Sequence, residues 1–216
     1  MPISDPDVEF ILDNTDRLIT VTVRCVISFG LADGLNDRLL ATPADRRDDW
    51  HQAVAGFHRD TLLMAALRAA ILLDADDSVV SFQAVYHRLK TPSVKAGMLQ
   101  ALEDRHGSDD IPPSRAELIE EFRQTYNKID WKAHGRLKHL RNRGIAHLTP
   151  EKMLKAVTLD ELRTLVAIIN HLATTLRDLC QSQYAFHADM LEEYRRRRRR
   201  TSGGSRPRAA CAGLPV

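Results

Sequence analysis

Lys138-His139-Leu140-Arg141-Asn142-Arg143-Gly144-Ile145-Ala146-His147 closes a predicted helix, and the interpretation of the chain depends on it. The stretch holds three cationic side chains, an amide and two histidines within ten residues. Gly144 is typical of a helix end in the left-handed conformation, so we expect His147 just past the last turn. Which arginine, Arg141 or Arg143, converges with His147 depends on how the chain turns after Gly144.

Composition favours a single all-α domain. The chain has 216 residues, 44% of them hydrophobic, which is enough for a substantial core. Only 10 glycines and 9 prolines interrupt it, and strand-like alternation is hard to find. We expect a helical domain over residues 1–200 and a disordered tail over 201–216, which mixes serine, glycine, proline, arginine and alanine without periodicity.

Helix start signals divide the predicted domain into about six helices. These signals include a capping residue followed by proline, and a Ser or Thr with Glu three residues later. The predicted helices begin at Pro6, at Pro43, after Asp77 or Ser78, at Val94, after Ser114 and after Thr158. They end at about Leu40, near Leu73, at Leu89, at Glu103, in the stretch quoted above and, for the last helix, as far along as the arginine run. The fifth helix has a possible kink near Asp130-Trp131.

Charge is distributed unevenly along the chain. The formal net charge is +2, but the run Arg195 to Arg200 together with Arg206 and Arg208 supplies eight positive charges. The rest of the chain is therefore mildly acidic, which argues against a uniformly basic nucleic-acid binder. Six consecutive arginines attract polyanions without sequence preference, so we expect the run to aid RNA binding weakly.

The sequence predicts neither a metal site, nor a cofactor, nor a membrane segment. The cysteines Cys25, Cys180 and Cys211 are widely spaced and have no histidine partner at metal spacing, which fits a reducing compartment. The N-terminal residues are acidic and lack the apolar core of a signal peptide. The apolar stretch from Thr61 to Leu73 is too short to span a bilayer. We therefore expect a cytoplasmic protein.

The helix order and the quoted stretch together resemble the HEPN superfamily of helical domains. Its hallmark is an arginine, four to six residues and a histidine, often with a polar residue directly after the arginine. Here Arg141 and His147 are separated by five residues, the first of which is Asn142. A narrower resemblance covers Arg59-Asp60-Thr61 and the segment Leu73 to Phe82, which look like the AbiU-type abortive-infection branch. Together these segments cover roughly residues 50 to 175.

The resemblance implies a function as well as a fold. It implies a helical domain that pairs with a second copy, so that two such motifs meet in a cleft, and metal-independent cleavage of RNA in phage defence or as a toxin. An antitoxin or another defence protein is then a possible partner. Some relatives carry a tyrosine two residues after the histidine as a target of a partner enzyme, and Thr149 stands there in this chain.

The chemistry of the residues agrees with that expectation. Attack by the RNA 2′-hydroxyl requires a group that accepts a proton near neutral pH, and His147 is a residue of the type that does so. The planar guanidinium of Arg141 can meet the charge that grows on the phosphate. Asn142 can hold the imidazole or donate to a phosphate oxygen, which completes the predicted catalytic set. Lys138 and Arg143 are either a solvated face or an RNA-binding rim.

Simpler interpretations compete with this prediction. His147 can satisfy backbone carbonyls at a helix end, and Arg141 can be a surface cation favoured by the helix dipole. The chain would then be a non-catalytic HEPN-fold module that binds RNA or a protein. A DNA-binding regulator is less favoured, because no helix-turn-helix is recognisable. His134 is expected on the surface, and Trp131 is expected to anchor the core or a subunit interface rather than to stack a base.

Overall fold

The fold is known from a computed structural model that describes residues 5–43, 45, 47–76, 78–107, 113–141 and 157–181. All regular structure in these ranges is helical, which confirms the predicted all-α bundle. Seven helices are described where about six were expected. They are α1 (Pro6–Ala41), α2 (Asp49–Leu72), α3 (Phe82–Leu89), α4 (Pro92–His106), α5 (Arg115–Tyr126), α6 (Trp131–His139) and α7 (Leu159–Cys180).

Several predicted helix starts are confirmed by their capping hydrogen bonds. The Asp5 carboxylate accepts from the Asp7 backbone N–H at 2.9 Å and so begins α1. Ser114 forms the predicted capping box with Glu117 at the start of α5. The box of Thr158 and Glu161 before α7 is also present, with its two bonds at 3.0 and 3.2 Å.

Two predicted starts were wrong. The second helix begins at Asp49 rather than Pro43, because the Asp48 carboxylate accepts from the His51 backbone N–H at 2.8 Å. The third begins at Phe82, where the Ser81 hydroxyl accepts from the Ala84 N–H at 3.1 Å. Ser78 does not cap a helix; its hydroxyl and its N–H both donate to Asp76 within the preceding turn.

The predicted fifth helix is two helices. Its first part, α5, ends at Tyr126, and the chain leaves the helical path over residues 127–130. Asp130 starts α6 by accepting from the backbone N–H groups of Lys132 and Ala133, at 2.8 and 3.2 Å. The possible kink near Asp130-Trp131 is therefore a break between α5 and α6.

The core lies where α1 packs against α2 and α7, and α5 packs against α7. The rings of Phe82 and Phe122 are fully buried there, with centroids 6.2 Å apart. The helices α1 and α2 run antiparallel, since Cys25 in the middle of α1 contacts Ala65 of α2, while Arg38 near the end of α1 lines a cleft with His51 at the start of α2. The short α6 packs on α2 and α7. This arrangement brings the end of α6 to the turn that follows α2.

Within the described ranges, α1 is the single helix long and apolar enough to cross a membrane. The prediction of no membrane segment rested on the stretch from Thr61 to Leu73, which is shorter than α1. Eight residues of α1, from Val8 to Ala32, are buried within the bundle. The core helix of a soluble protein passes the same test, so the finding is weak evidence for a membrane. The cytoplasmic location stays a prediction.

Candidate functional site

The candidate site lies at the C-terminal end of α6. Its helix carries Trp131, His134, Lys138 and, in a wider π-type turn just beyond it, Arg141. Spacings of three and four residues place these side chains along one side of the helix. Turns of the π type are rare and are frequently found at functional sites. Arg141 is the last residue of this stretch that the structure describes.

Arg141 forms an ion pair with Asp74, which directly follows the end of α2. Its Nη1 atom donates to the Asp74 carboxylate, and both side chains are mostly buried, with 26% and 16% of their surface exposed. The two residues are 67 positions apart in the chain. The ion pair therefore connects the end of α6 to the α2–α3 turn, and the sequence did not predict this connection.

The charge of Arg141 changes the acidity of Asp74. Burial raises the pKa of the Asp74 carboxyl, but the hydrogen bond and positive charge of Arg141 outweigh burial and bring the pKa below its ordinary value. Lys138 lowers this pKa further through its charge. Asp74 is consequently an anion at neutral pH, and it faces two cations from α6.

The turn after α2 is held by its own hydrogen bonds. The Ser81 hydroxyl donates to the Asp74 carbonyl at 2.8 Å while it also caps α3. Asp76 accepts from the Ser78 hydroxyl at 2.7 Å, and this bond is the largest cause of the lowered pKa of Asp76. Asp74 is thus presented to Arg141 by a turn whose shape depends on short-range bonds.

His134 lies beneath this charged group, and the prediction that it is ordinary surface was wrong. Only 5% of its surface is exposed, and its Nε2 atom finds no hydrogen-bond partner among the described residues. Burial lowers the pKa of His134, and the positive charge of Lys138 lowers it further. His134 is therefore neutral at pH 7 and too enclosed to contact a substrate.

Trp131 stands at the other end of the row and is not part of the core, since 42% of its surface is exposed. One edge of the indole is fixed, because the ring meets the His134 ring edge-on at 5.4 Å between centroids and the Tyr126 ring at 5.4 Å. Tyr126 in turn stacks on Tyr86 at 3.9 Å. The expectation of a core anchor is thereby excluded, and an interface or stacking role stands.

The remaining predicted site residues, Asn142, Arg143 and His147, lie outside the described residues. Of the predicted set, the structure brings together Arg141 and Lys138, and it adds Asp74 and His134. This cluster carries two cations, Arg141 and Lys138, of the types that bind phosphate in proteins, and Trp131 packs against its His134.

Other chemistry is not favoured within the described ranges. No group of three or more His, Cys, Asp or Glu side chains there could hold a metal ion. Burial raises the pKa of the Cys25 thiol to about 12 and that of Cys180 to about 11. Neither thiol ionises at neutral pH, so neither is an activated nucleophile.

Comparison of the chain with protein-family models, with curated proteins and with solved structures gave no match. The class that the observations define is an all-α bundle with a mixed-charge cluster at the end of α6.

Proposed function

We propose that this chain is a metal-independent endoribonuclease of the HEPN class, acting in phage defence or as a toxin in the cytoplasm. In this proposal His147 is the general acid and base, Arg141 stabilises charge on the phosphate and Asn142 supports them. Lys138 and Arg143 bind the RNA backbone. The observation that supports it best is the position of Arg141 in the π-type turn at the end of α6, beside Lys138 and oriented by Asp74.

Asp74 acts in this proposal as a positioning residue. A long arginine side chain samples many rotamers in solution, and fixing it in advance lowers the entropic cost of meeting a phosphate. The ion pair holds the guanidinium at the end of α6, where Lys138 adds a second positive charge. The reaction requires attack of the RNA 2′-hydroxyl on the adjacent phosphorus, with release of the 5′-oxygen. The products would carry a 2′,3′-cyclic phosphate and a 5′-hydroxyl.

A second candidate is a non-catalytic HEPN-fold module that binds RNA or a protein through the same surface. The ion pair between Arg141 and Asp74 favours it to some degree, because this contact also gives Arg141 a structural role that needs no substrate. The half-exposed Trp131 beside the charged cluster fits RNA binding in either case. A homodimer and an antitoxin or defence partner belong to the leading proposal.

The deciding experiment compares wild-type protein with His147→Ala and Arg141→Ala on total RNA in the presence of EDTA. We expect wild-type cleavage with cyclic-phosphate ends, and a loss of at least about 100-fold in both variants, as is usual for a catalytic acid–base group or a charge-stabilising donor. Arg17→Ala removes an exposed arginine of α1 and is the matched control. Equal cleavage by His147→Ala would contradict the proposal. RNA binding without cleavage by the wild type would favour the second candidate.

A further inference from the structure

Four large apolar side chains form an exposed stripe along α2. Trp50, Phe57, Met64 and Ile71 recur at intervals of seven residues, and 75%, 55%, 43% and 48% of their surfaces are exposed. A seven-residue interval keeps side chains on one side of a helix over several turns. The stripe therefore extends along the whole of α2 (Asp49–Leu72) and points away from the core.

A second stripe runs along α1. Val23, Ile27 and Leu31 recur at intervals of four residues, and each exposes at least half of its surface. The residues between them, Cys25 and Phe29, are buried on the opposite side of the helix. The middle of α1 is thus apolar both toward the core and toward solvent.

The two stripes belong to one surface, which we call the α1–α2 apolar face. Arg68 of α2 reaches across to α1, where its Nη1 atom donates to the Ser28 hydroxyl and to the Arg24 carbonyl. On α2, Met64 and Ile71 lie four and three residues from Arg68 and are therefore its neighbours on the helix surface. On α1, Ile27 lies three residues from Arg24, and Leu31 lies three residues from Ser28. Each stripe therefore lies beside the line of contact between α1 and α2, on its solvent side, and Arg68 lies between the two stripes.

The face is large enough for a stable interface between proteins. From their exposed fractions, the seven side chains present on the order of 700 Å², whereas the largest apolar patch of a typical monomer is about 300–600 Å². Each partner of a standard interface buries about 800 Å². A patch of this size on an otherwise charged protein needs an apolar partner.

We propose that the α1–α2 apolar face binds the same face of a second copy of this chain. An apolar face is complementary to itself, so a two-fold axis through it closes the assembly with no further partner. Two helices from each copy then form a four-helix arrangement, the common way to bury exposed helix stripes. Asp60 and Arg68 border the α2 stripe on its two sides, and this mixed charge differs from the Lys/Arg-rich border of a membrane-surface helix.

This contact is argued from exposed apolar area and stands whether or not the chain cleaves RNA. The proposed function includes a homodimer, and the present proposal assigns the contact between its two copies to the α1–α2 apolar face. The test therefore measures oligomeric state, and RNA cleavage is not its readout.

Sedimentation equilibrium of the full chain at 1–100 µM tests the proposal. We expect the wild type to approach twice the chain mass of 24.4 kDa. Phe57→Glu places a charge in the centre of the stripe, and we expect it to weaken dimerisation at least 100-fold. Gln52→Glu adds the same charge to α2 about 140° away around the helix, so it is the matched control and should leave the dimer intact.

Ile27→Glu tests the face from α1 should Phe57→Glu fail to fold, and circular dichroism checks the fold of each variant. A wild type that stays monomeric at 100 µM would overturn the proposal. The proposal would also be overturned if Phe57→Glu and Ile27→Glu both fold and both dimerise as tightly as the wild type. A monomer that sediments with anionic lipid vesicles would identify a membrane as the occupant instead and would equally refute a second copy.

Discussion

Removing the ion pair between Asp74 and Arg141 should destabilise the fold measurably. Two unit charges about 4 Å apart attract by about 4 kcal/mol at an effective dielectric constant of 20. Exposed pairs contribute about 0–1 kcal/mol net, and breaking a fully buried pair costs about 3–5 kcal/mol. With 16% and 26% of their side chains exposed, Asp74 and Arg141 lie between these limits. We therefore expect Asp74→Ala to lower the free energy of unfolding by about 2 kcal/mol.

A double-mutant cycle isolates the contact itself. Asp74→Ala, Arg141→Ala and the double variant are unfolded in urea at pH 7 and followed by circular dichroism at 222 nm. We expect the double variant to be more stable than the sum of the single losses predicts, by about 1.5 kcal/mol. The exposed pair of Arg163 and Asp160 on α7 is the control cycle, and its coupling should stay below about 0.5 kcal/mol.

The pH dependence has a definite sign. Arg141 holds the pKa of Asp74 below its ordinary 3.8. The stabilisation of the fold by this ion pair is therefore complete above about pH 4 and is lost as the pH falls through the lowered pKa. The reasoning would be refuted by a coupling energy at pH 7 below about 0.3 kcal/mol, within the error of additivity. It would be refuted as well by a coupling no larger than that of the control pair.

Two further outcomes are expected. If a base stacks on the exposed face of Trp131, Trp131→Ala should weaken the binding of single-stranded RNA by about 1–3 kcal/mol, which is roughly 5- to 150-fold. Fluorescence anisotropy measures this affinity, and the control variant Trp50→Phe should leave it unchanged. Because burial lowers the pKa of His134, the folded protein takes up this proton less readily than the unfolded chain. Stability should therefore fall as the pH drops below about 6.5, and His134→Gln should reduce the loss between pH 7 and 5 in urea unfolding; an unchanged loss would contradict the assignment.

The candidate site shows which contacts a sequence can reveal. The stretch from Lys138 to His147 identified Arg141 and Lys138 as candidate site residues, because a cluster of charges is a local pattern. Asp74 was recognised as part of a turn, yet its pairing with Arg141 spans 67 positions, and no local pattern encodes such a contact. The spacing of His134 and Lys138 suggested a solvated face; the packing of α6 on α2 buries His134 instead.

The all-α class and the capped starts of α1, α5 and α7 were determined by the sequence alone, because each cap joins residues only two or three positions apart. Tertiary structure decided which of several capping residues is used, as at Ser81, whose hydroxyl also bonds the Asp74 carbonyl. It also decided that the stripe from Trp50 to Ile71 faces outward. Apolar spacing marks the sides of a helix that avoid water, but only the packing of α1 on α2 determines which of those sides the core covers.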